Sequence, residues 1–284
     1  YLNLFKYLIT FFLMVKNFVS VSAVSDRKEL AEIGKISKTE RFEFPIVIGY
    51  QVSNSSINQG SQNSRQPKFT ELGNLDRETR DYGLITAVHY YTKNNDTIVE
   101  DLEKVIESGV ESSSALLQFN TLPPSLDILK KVGKMGFEII FKVAVSDKQS
   151  SQRGYAVWKG EDVQDVERGE VVPLVNQVYD RRDVISYVMF DPSHGTNLDL
   201  NLDEGSLAVR FGKEITARGE LDNLGLVYAG GINPKNVGKL GRKLNSFFPN
   251  RISVDVESGV RVGNKLDLDL VKDYLINYQD ALKN

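Results

Sequence analysis

Short apolar runs rich in β-branched residues alternate along the chain with stretches of helical periodicity. The eight apolar runs span residues 18–24, 45–53, 83–91, 115–120, 138–146, 184–191, 224–232 and 251–258. Stretches of helical periodicity include residues 25–36, 96–109, 123–136, 203–219, 233–248 and 266–282. Eight strand–helix units in succession predict a single α/β domain folded as a closed parallel (βα)8 barrel, the TIM barrel. An open doubly wound sheet is the rival fold, and it is disfavoured because no run is followed directly by a GxGxxG turn.

The first 23 residues allow two interpretations. They contain a lysine, an apolar run over residues 7–15 and small residues at the end, a combination typical of a secretory signal peptide. Polar residues interrupt the run, so we favour an N-terminal helix over residues 1–17 in front of a barrel domain over residues 18–284. The run is also short for a membrane span. The first residue is not Met, which suggests that the sequence starts inside a longer chain, and the expected location is the cytoplasm, with targeting by residues 1–23 as the alternative.

The composition excludes several classes of function. The 35 Lys and Arg residues against 38 Asp and Glu residues leave a formal charge of −3, so no basic field would attract nucleic acid. The chain has no cysteine, which excludes disulfides, thiolate metal sites and a cysteine nucleophile. Two histidines are too few to indicate a zinc cluster, and we expect neither a metal nor a cofactor. We expect no membrane contact, and the oligomeric state is left open.

Two connections between the predicted strands are long. Residues 53–83 follow the second run and begin with a segment rich in Ser, Asn and Gln. Residues 147–170 follow the fifth run and contain the single tryptophan, Trp158. Connections of this length in a compact domain are usually functional or disordered, so each is a candidate lid over the site. For the second connection, a solvated excursion is the alternative.

Polar side chains gather where the predicted strands end. TIM barrels have their active sites at the carboxyl ends of the strands, and strands buried on both faces are normally apolar throughout, so these polar residues require a reason. The strand-end candidates are Ser20, Ser22, Gln51, Ser53, His89, Gln118, Asn120, Lys142, Asp191, His194, Asn233, Asp255 and Ser258.

Asp191 opens the segment DPSHGT after the sixth run. At the mouth of a barrel it would act as a general acid or base with a pKa raised by burial, while the alternative is an aspartate that caps its own turn. Gly195 and Thr196 would offer an N–H and a hydroxyl to a phosphate or sugar oxygen. His194 would shuttle a proton, although a loop histidine is more often only exposed.

The segment LVYAGGINPKNV follows the seventh strand and is typical of a phosphate-binding loop. Glycines allow a sharp turn and close approach of a ligand to backbone N–H groups, and an Asn-Pro pair suits the N-cap and first turn of a helix. Helix N-termini bind anions, and loops after the last two strands of such barrels are a recurrent phosphate site. A plain strand–turn–helix corner is the alternative. The residues assigned to phosphate are Gly230, Gly231, Asn233, Ser258 and Gly259, besides Gly195 and Thr196.

Lys142 lies inside the fifth run and has three possible roles: a Schiff-base amine, the ion-pair partner of a carboxylate, or a phosphate contact. We favour the ion pair, because a buried lysine usually needs a counter-charge. His89 and Gln118 are expected to shape the pocket and to hydrogen-bond the ligand rather than to react.

Several of these segments resemble phosphoribosylanthranilate isomerase, a barrel enzyme of tryptophan biosynthesis. YAGGINPKNV and DVESGV are similar to that family's segments after strands seven and eight, ALLQFN to its Gln-containing strand, and MFDPSHGT to the aspartate and Gly-Gly-Thr turn after strand six. The resemblance implies Asp191 as general acid, Gln118 and Asp255 in the substrate site, and Arg65, in NSRQ, as the contact to a substrate carboxylate.

The chain departs from this family at its first strand, where the family carries the cysteine that serves as general base. FVSVSAV offers Ser20 or Ser22 instead, and a serine hydroxyl is a far poorer base than a thiolate. Asp255 or another carboxylate would have to take over. The favoured hypothesis is therefore an isomerase of a phosphorylated sugar adduct. The alternatives are a phosphosugar-binding barrel without catalysis and a Schiff-base aldolase that uses Lys142.

Overall fold

Eight parallel strands close into a barrel in the computed structural model of the chain. It describes residues 17–60, 63–120, 123–146, 164–165, 169–193 and 199–283. The barrel strands are β1 (Val19–Ser22), β2 (Ile46–Ser53), β3 (Ile85–Tyr91), β4 (Ala115–Phe119), β5 (Glu138–Lys142), β6 (Tyr187–Phe190), β7 (Gly225–Tyr228) and β8 (Ile252–Val256). Consecutive strands are neighbours, and β8 pairs with β1, Val19 opposite Val254, to close the ring. The predicted (βα)8 barrel, formed by one domain, is confirmed.

Helices follow the strands around the outside of the barrel. The α-helices are α1 (Arg27–Glu40), α2 (Asn54–Gln59), α3 (Leu72–Asp81), α4 (Ile98–Glu107), α5 (Leu126–Gly133), α6 (Val172–Tyr179), α7 (Leu207–Ala217), α8 (Val237–Phe247) and α9 (Leu268–Lys283). Side-chain N-caps fix where several begin: Asp26 accepts a hydrogen bond from the Glu29 N–H ahead of α1. None of the helices in the described ranges combines the length and hydropathy needed to cross a lipid bilayer.

Two short strand pairs accompany the barrel. Arg261–Val262 and Lys265–Leu266 form an antiparallel ribbon after β8, and Val145–Ser146 pairs with Gln164–Asp165 after β5. The predicted N-terminal helix covers residues 1–17, of which residues 1–16 lie outside the described part of the chain, as does Trp158.

The long connection after β2 contains helix α2. Ser53 begins this helix: its Oγ accepts a hydrogen bond from the Ser56 N–H at 3.1 Å, and the Ser56 Oγ accepts one from the Ser53 N–H at 2.8 Å. Asp101 of α4 fastens the helix, because its carboxylate accepts hydrogen bonds from the side-chain amides of Asn54 at 2.7 Å and Asn58 at 2.8 Å. Ser53, a strand-end candidate in the sequence, is therefore a helix cap.

The same connection also contains α3, which covers the barrel between β2 and β3. Leu72 and Leu75 are buried on its inner face. On the next turn, the hydroxyl groups of Thr79 and of Tyr50 in β2 share a hydrogen bond of 2.7 Å. The segment thus carries the helix expected of a regular strand–helix unit. The sequence prediction that residues 53–83 are one long connection missed both helices.

The inside of the barrel changes from apolar to polar along the strands. Alternate residues of a strand face the same side, and those that form the inner apolar cluster lie towards the amino ends. They are Phe18, Val47, Ala87, Leu116, Ile140, Tyr187, Met189, Val227 and Ala229. Residues on the same face further along the strands are Ser20, Ser22, His89, Gln118, Lys142 and Asp255. The polar groups therefore meet at the carboxyl end, where barrels of this kind carry their chemistry.

An open cavity lies at the opposite, amino end of β3 to β6. Its lining residues are Ile85, Ser113, Ser114, Ala115, Leu116, Glu138 and Tyr187. Burial raises the pKa of the Glu138 carboxyl. The cavity contains none of the predicted site residues, and the amino end of a TIM barrel serves stability rather than catalysis, so we assign the candidate active site to the polar carboxyl end.

Candidate active site

Lys142 and Asp191 form a buried ion pair at the carboxyl ends of β5 and β6. The Lys142 Nζ lies 2.5 Å from the Asp191 Oδ2, and both residues are more than nine-tenths buried. The other carboxylate oxygen, Oδ1, accepts hydrogen bonds from the Ser193 N–H at 2.9 Å and the Ser193 Oγ at 2.7 Å. The favoured role of Lys142, an ion pair with a carboxylate, is thus observed. Asp191 also caps its own turn, as the alternative interpretation expected, and its role as a general acid or base stays a prediction.

A second carboxylate, Asp255 of β8, lies beside the two serines of β1. The Ser22 Oγ donates a hydrogen bond of 2.5 Å to the Asp255 Oδ1, and the Ser20 Oγ lies 3.3 Å from the Ser22 Oγ. Parallel pairing with Ser20 opposite Asp255 brings these groups together. Both serines are buried, whereas Asp255 is partly exposed at the mouth of the barrel.

The pKa of the Asp255 carboxyl is raised, chiefly because burial penalises its charge. Hydrogen bonds from Ser22 and Ser20 oppose this shift, the negative charge of Asp191 adds to it, and the positive charge of Lys142 lowers it. Asp255 is therefore close enough to the Lys142–Asp191 pair for the two to influence each other's protonation. The site contains two coupled carboxylates with different environments, which is an arrangement suited to acid–base chemistry.

His89 of β3 is buried next to this cluster. A Cβ on Gly49 would lie 2.7 Å from the Ser22 Oγ and 2.9 Å from the His89 Nε2, so the glycine of β2 lets the serine and the imidazole approach each other. Burial lowers the pKa of His89 to about 4, with a smaller lowering by Lys142 and an opposing effect of Glu257. His89 is consequently a neutral imidazole at neutral pH, which suits a hydrogen-bonding role. On β4, the Gln118 Nε2 donates to the Asn120 Oδ1 at 2.9 Å.

Arg65 reaches from the connection after β2 to the end of β8. Its Nη1 lies 2.9 Å from the Glu257 Oε1, and its Nη2 donates to the Asn264 Oδ1 at 3.3 Å. The predicted contact of Arg65 with a substrate carboxylate is therefore occupied by a carboxylate of the chain itself. Sequence reasoning missed Glu257, which comes directly after the end of β8 and follows Asp255 by two residues.

The loops after β7 and β8 touch each other on the same rim of the barrel. A Cβ on Gly259 would lie 1.9 Å from the Ile232 carbonyl oxygen, so only a glycine allows this contact. Gly230 and Gly231 have φ angles of 106° and 58°, in the left-handed region that favours glycine. Within the described residues, neither of their N–H groups is donated to an acceptor. The loops that sequence reasoning assigned to phosphate are thus adjacent; their binding of phosphate stays a prediction.

Asn233 was expected to be the N-cap of the following helix, and this is wrong. Helix α8 begins at Val237. Asn236 occupies the N-cap position, and its side chain makes no capping hydrogen bond. Instead the Asn233 Oδ1 accepts a hydrogen bond from the Lys235 N–H at 2.9 Å, and the Asn236 amide donates to the Gly231 carbonyl at 2.9 Å. This Asx turn leads directly into the helix, because the Asn233 carbonyl accepts hydrogen bonds from the Asn236 and Val237 N–H groups, and α8 therefore begins further from the glycines than the sequence suggested.

Asp199 lies against Gly231 and was not anticipated. A Cβ on Gly231 would be 2.4 Å from the Asp199 Oδ1 and 2.7 Å from its Cα. The side chain is exposed, so its carboxylate presents a negative charge at the rim where we expected an anion to bind. No residue pattern signals this contact, because it joins residues that are far apart in the sequence.

The remaining predicted residues are accounted for as follows. His194, Gly195 and Thr196 lie outside the described residues. Ser258 is exposed at the start of a 3-10 turn, Ser258–Val260, next to the β7 loop. Over the described ranges, no three acidic or imidazole side chains are grouped so that they could hold a metal ion.

Comparison with known proteins identifies the fold. No protein-family model matches the sequence, and no curated protein matches it. N-(5'-phosphoribosyl)anthranilate isomerase from Pyrococcus furiosus aligns over 93% of this chain and 99% of its own, with a TM-score of 0.53 and 15% identity. Triosephosphate isomerase from Bartonella henselae aligns over 91% and 99%, with a TM-score of 0.51 and 11% identity. Ribulose-1,5-bisphosphate carboxylase/oxygenase from Pyrococcus horikoshii aligns over 94% of this chain and 58% of its own, with a TM-score of 0.52 and 11% identity. At these identities the likeness shows the fold, which is that of the TIM barrel.

Proposed function

We propose that the chain is an isomerase that moves a proton within a phosphorylated sugar adduct. The observation that carries the proposal is the pair of carboxylate units at the carboxyl end of the barrel, Lys142–Asp191 and Ser22–Asp255. Conversion of an aldose-type into a ketose-type compound needs one group that donates a proton to oxygen and another that takes a proton from carbon. Two carboxylates in unlike environments, one buried and one partly exposed, can divide these tasks between them.

The Lys142–Asp191 pair supplies the donor in this proposal. At 2.5 Å from the Asp191 Oδ2, the Lys142 Nζ shares a short charge-assisted hydrogen bond with the carboxylate, so a proton can leave the pair as a unit. The Ser193 hydrogen bonds keep the carboxylate oriented while this happens. The neutral His89 orients a hydroxyl of the sugar.

The phosphate would bind at the contact between the loops after β7 and β8. Support comes from the N–H groups of Gly230 and Gly231, which have no acceptor among the described residues, and from the close approach of Gly259 to Ile232. Backbone amides that converge in a turn form a concave anion site without a charged side chain. The name of the Pyrococcus furiosus neighbour, a phosphoribosylanthranilate isomerase, agrees with this class of substrate, as does the resemblance of the two loops.

The catalytic proposal is tested with Asp191→Asn and N-(5'-phosphoribosyl)anthranilate, followed by loss of anthranilate fluorescence. We expect kcat to fall by roughly 10²- to 10⁴-fold, the usual contribution of a general acid, while ligand binding is retained. Asp183→Asn, on the exposed loop before β6, is a matched control that should keep the wild-type rate. An unchanged rate in Asp191→Asn would remove this residue from the mechanism.

The phosphate assignment is tested separately with Asp199→Asn and inorganic phosphate at low salt. Removal of the negative charge beside Gly231 should tighten phosphate binding by up to about 30-fold, since two unit charges about 4 Å apart repel by about 1 kcal/mol in water and phosphate carries nearly two. Asp203→Asn, on the same segment and paired with Lys243, is the control. Equal phosphate affinity in both variants would place the anion elsewhere.

A phosphosugar-binding barrel without catalysis is the second candidate, and the lack of any cysteine favours it. Complementation of a tryptophan auxotroph that lacks the isomerase separates the two, because a binding protein cannot restore growth. The Schiff-base aldolase is disfavoured by the ion pair, since the Lys142 Nζ is held 2.5 Å from the Asp191 Oδ2, whereas a Schiff-base amine must be available to attack a carbonyl. Borohydride trapping with a carbonyl substrate would detect it.

A further inference from the structure

We propose that Asp255 is the group that takes the proton from carbon and returns it, and that Ser22 is the residue that positions it. The inference rests on the proposed function and deepens it, because it names the proton acceptor at a site whose first strand has no cysteine. The sequence alone offered Ser20 and Ser22 as replacements. The hydrogen bonds of the site assign the role to the carboxylate beside them.

The direction of the hydrogen bond excludes Ser22 itself as the base. Its hydroxyl is the donor to the Asp255 Oδ1 at 2.5 Å, so its proton is directed at the carboxylate. A carboxylate has about four acceptor positions on its two oxygens, and hydrogen bonds from the two serines leave capacity for another proton. Ser20, 3.3 Å from the Ser22 Oγ, completes a short polar chain that holds the group against β1.

The position of Asp255 in the barrel suits contact with a substrate. It is partly exposed at the mouth, whereas Ser20 and Ser22 beside it and Lys142 and Asp191 across from it are buried. Asp191 raises and Lys142 lowers the pKa of Asp255, so the two units lie within electrostatic reach across the cup. A sugar carbon between them would have a proton donor on one side and an acceptor on the other.

The electrostatic environment also suits the role. Ser22, Ser20 and Lys142 stabilise the charged form of Asp255, while burial and Asp191 disfavour it, and the balance raises the pKa of the carboxyl. A carboxylate with a raised pKa binds a proton more strongly than an exposed aspartate, which makes it a better base for a carbon acid. His89, the nearest alternative, is a weaker base, because burial lowers its pKa to about 4.

The steps balance without a further reactant. The Lys142–Asp191 unit protonates the ring oxygen, and the ring opens to a protonated imine at C1. Asp255 takes the proton from C2; the electron pair of that bond forms the C1–C2 double bond, and the imine becomes a neutral amine. Protonated Asp255 then delivers its proton to C1, and the C2 hydroxyl proton returns to the Lys142–Asp191 unit. Both groups end in their starting states, and the product is the ketose amine.

The test uses Asp255→Asn and Ser22→Ala in the full chain, with N-(5'-phosphoribosyl)anthranilate as substrate. Asp255→Asn should lose roughly 10²- to 10⁴-fold in kcat with little change in KM, since the amide keeps the shape of the carboxylate but cannot take a proton. Ser22→Ala should lose about 10-fold, the usual effect of one hydrogen bond to a charged group. Ser253→Ala removes a buried serine lower on the inner face of β8 and is the matched control.

A pH profile separates the positioning role of Ser22 from a structural one. The Ser22 hydrogen bond lowers the pKa of Asp255, so its removal should move the acid limb of kcat/KM to higher pH, and Ser253→Ala should leave that limb in place. Circular dichroism and thermal unfolding check that each variant folds. If Asp255→Asn keeps more than a third of the wild-type kcat, Asp255 is not the proton acceptor and the proposed function stands. If Ser22→Ala leaves the acid limb unmoved, Ser22 does not position the base. No turnover by the wild-type chain would overturn the proposed function and this inference with it.

Discussion

Acidification should weaken the folded protein through His89. This residue is 3% exposed, and burial lowers the pKa of its imidazole from 6.5 to about 4. As the pH falls below 6.5, the unfolded chain takes up a proton on this histidine, whereas the folded chain does not until the pH nears 4. The stability that the neutral imidazole contributes is therefore complete above pH 6.5 and is lost progressively between pH 6.5 and 4.

The size of the effect follows from the two pKa values. One pKa unit corresponds to about 1.4 kcal/mol, so the free energy of unfolding should fall by about 3 kcal/mol once the pH is below 4 and by about 2 kcal/mol at pH 5. Asp255 acts in the opposite direction, because a carboxyl with a raised pKa binds its proton more strongly in the folded state. The pH dependence of the unfolding free energy therefore contains a contribution from His89 and one from Asp255. The difference in unfolding free energy between the wild type and a His89 variant isolates the contribution of His89.

Urea unfolding of the wild type and of His89→Gln at pH 7.5 and pH 5.0 measures this difference. Glutamine keeps a polar side chain next to Ser22 but does not titrate, so the gap in unfolding free energy between the two proteins should narrow by about 2 kcal/mol at the lower pH. Nitrogen chemical shifts should report a neutral imidazole at pH 5. A gap of the same size at both pH values would refute the assignment of a buried, unprotonated histidine.

Two further variants test the packing of the site. Lys142→Met should lower the unfolding free energy by about 3–5 kcal/mol in urea melts, because it leaves the buried charge of Asp191 without its counter-charge, and the double variant with Asp191→Asn should recover most of that loss. Gly259→Ala should cost at least about 2 kcal/mol, since its Cβ would meet the Ile232 carbonyl oxygen at 1.9 Å and the backbone must move. Gly219→Ala, where a Cβ meets nothing within 4 Å, should change little; equal losses in both glycine variants would contradict the tight contact between the loops.

The barrel could be predicted from the sequence because its signal is repeated eight times. Each strand is short, apolar and β-branched, and topology follows from the strand–helix alternation alone. Helix α3 escaped prediction because it follows a Ser- and Asn-rich segment that dominates the composition of the connection. Only two large apolar side chains, Leu72 and Leu75, are among the buried residues of this helix, and that pattern is too short to stand out.

The residues of the site were predictable for a related reason, while most of their partners were not. Ser22, Lys142 and Asp255 are polar residues within apolar strands, and strand register brings them to one end. Contacts between Arg65 and Glu257 depend on where a long loop folds back, and no periodicity encodes that path. The same Asn-Pro sequence is compatible with an N-cap and with an Asx turn at Asn233. Local backbone geometry decides between them, and the sequence does not show it.

The exposed Asp199 weakens the proposed phosphate site without excluding it. Among the described residues it has no ion-pair partner, in contrast to Asp191 with Lys142 and Glu257 with Arg65. In water its repulsion of a dianion about 4 Å away amounts to about 2 kcal/mol, and salt screens it further. Hydrogen bonds to a charged group contribute about 1.5–3 kcal/mol each, so two or three backbone amides outweigh that repulsion. Because the side chain is exposed, it can also turn away into solvent when an anion arrives. The balance of these terms favours binding, with an affinity that Asp199 reduces rather than abolishes.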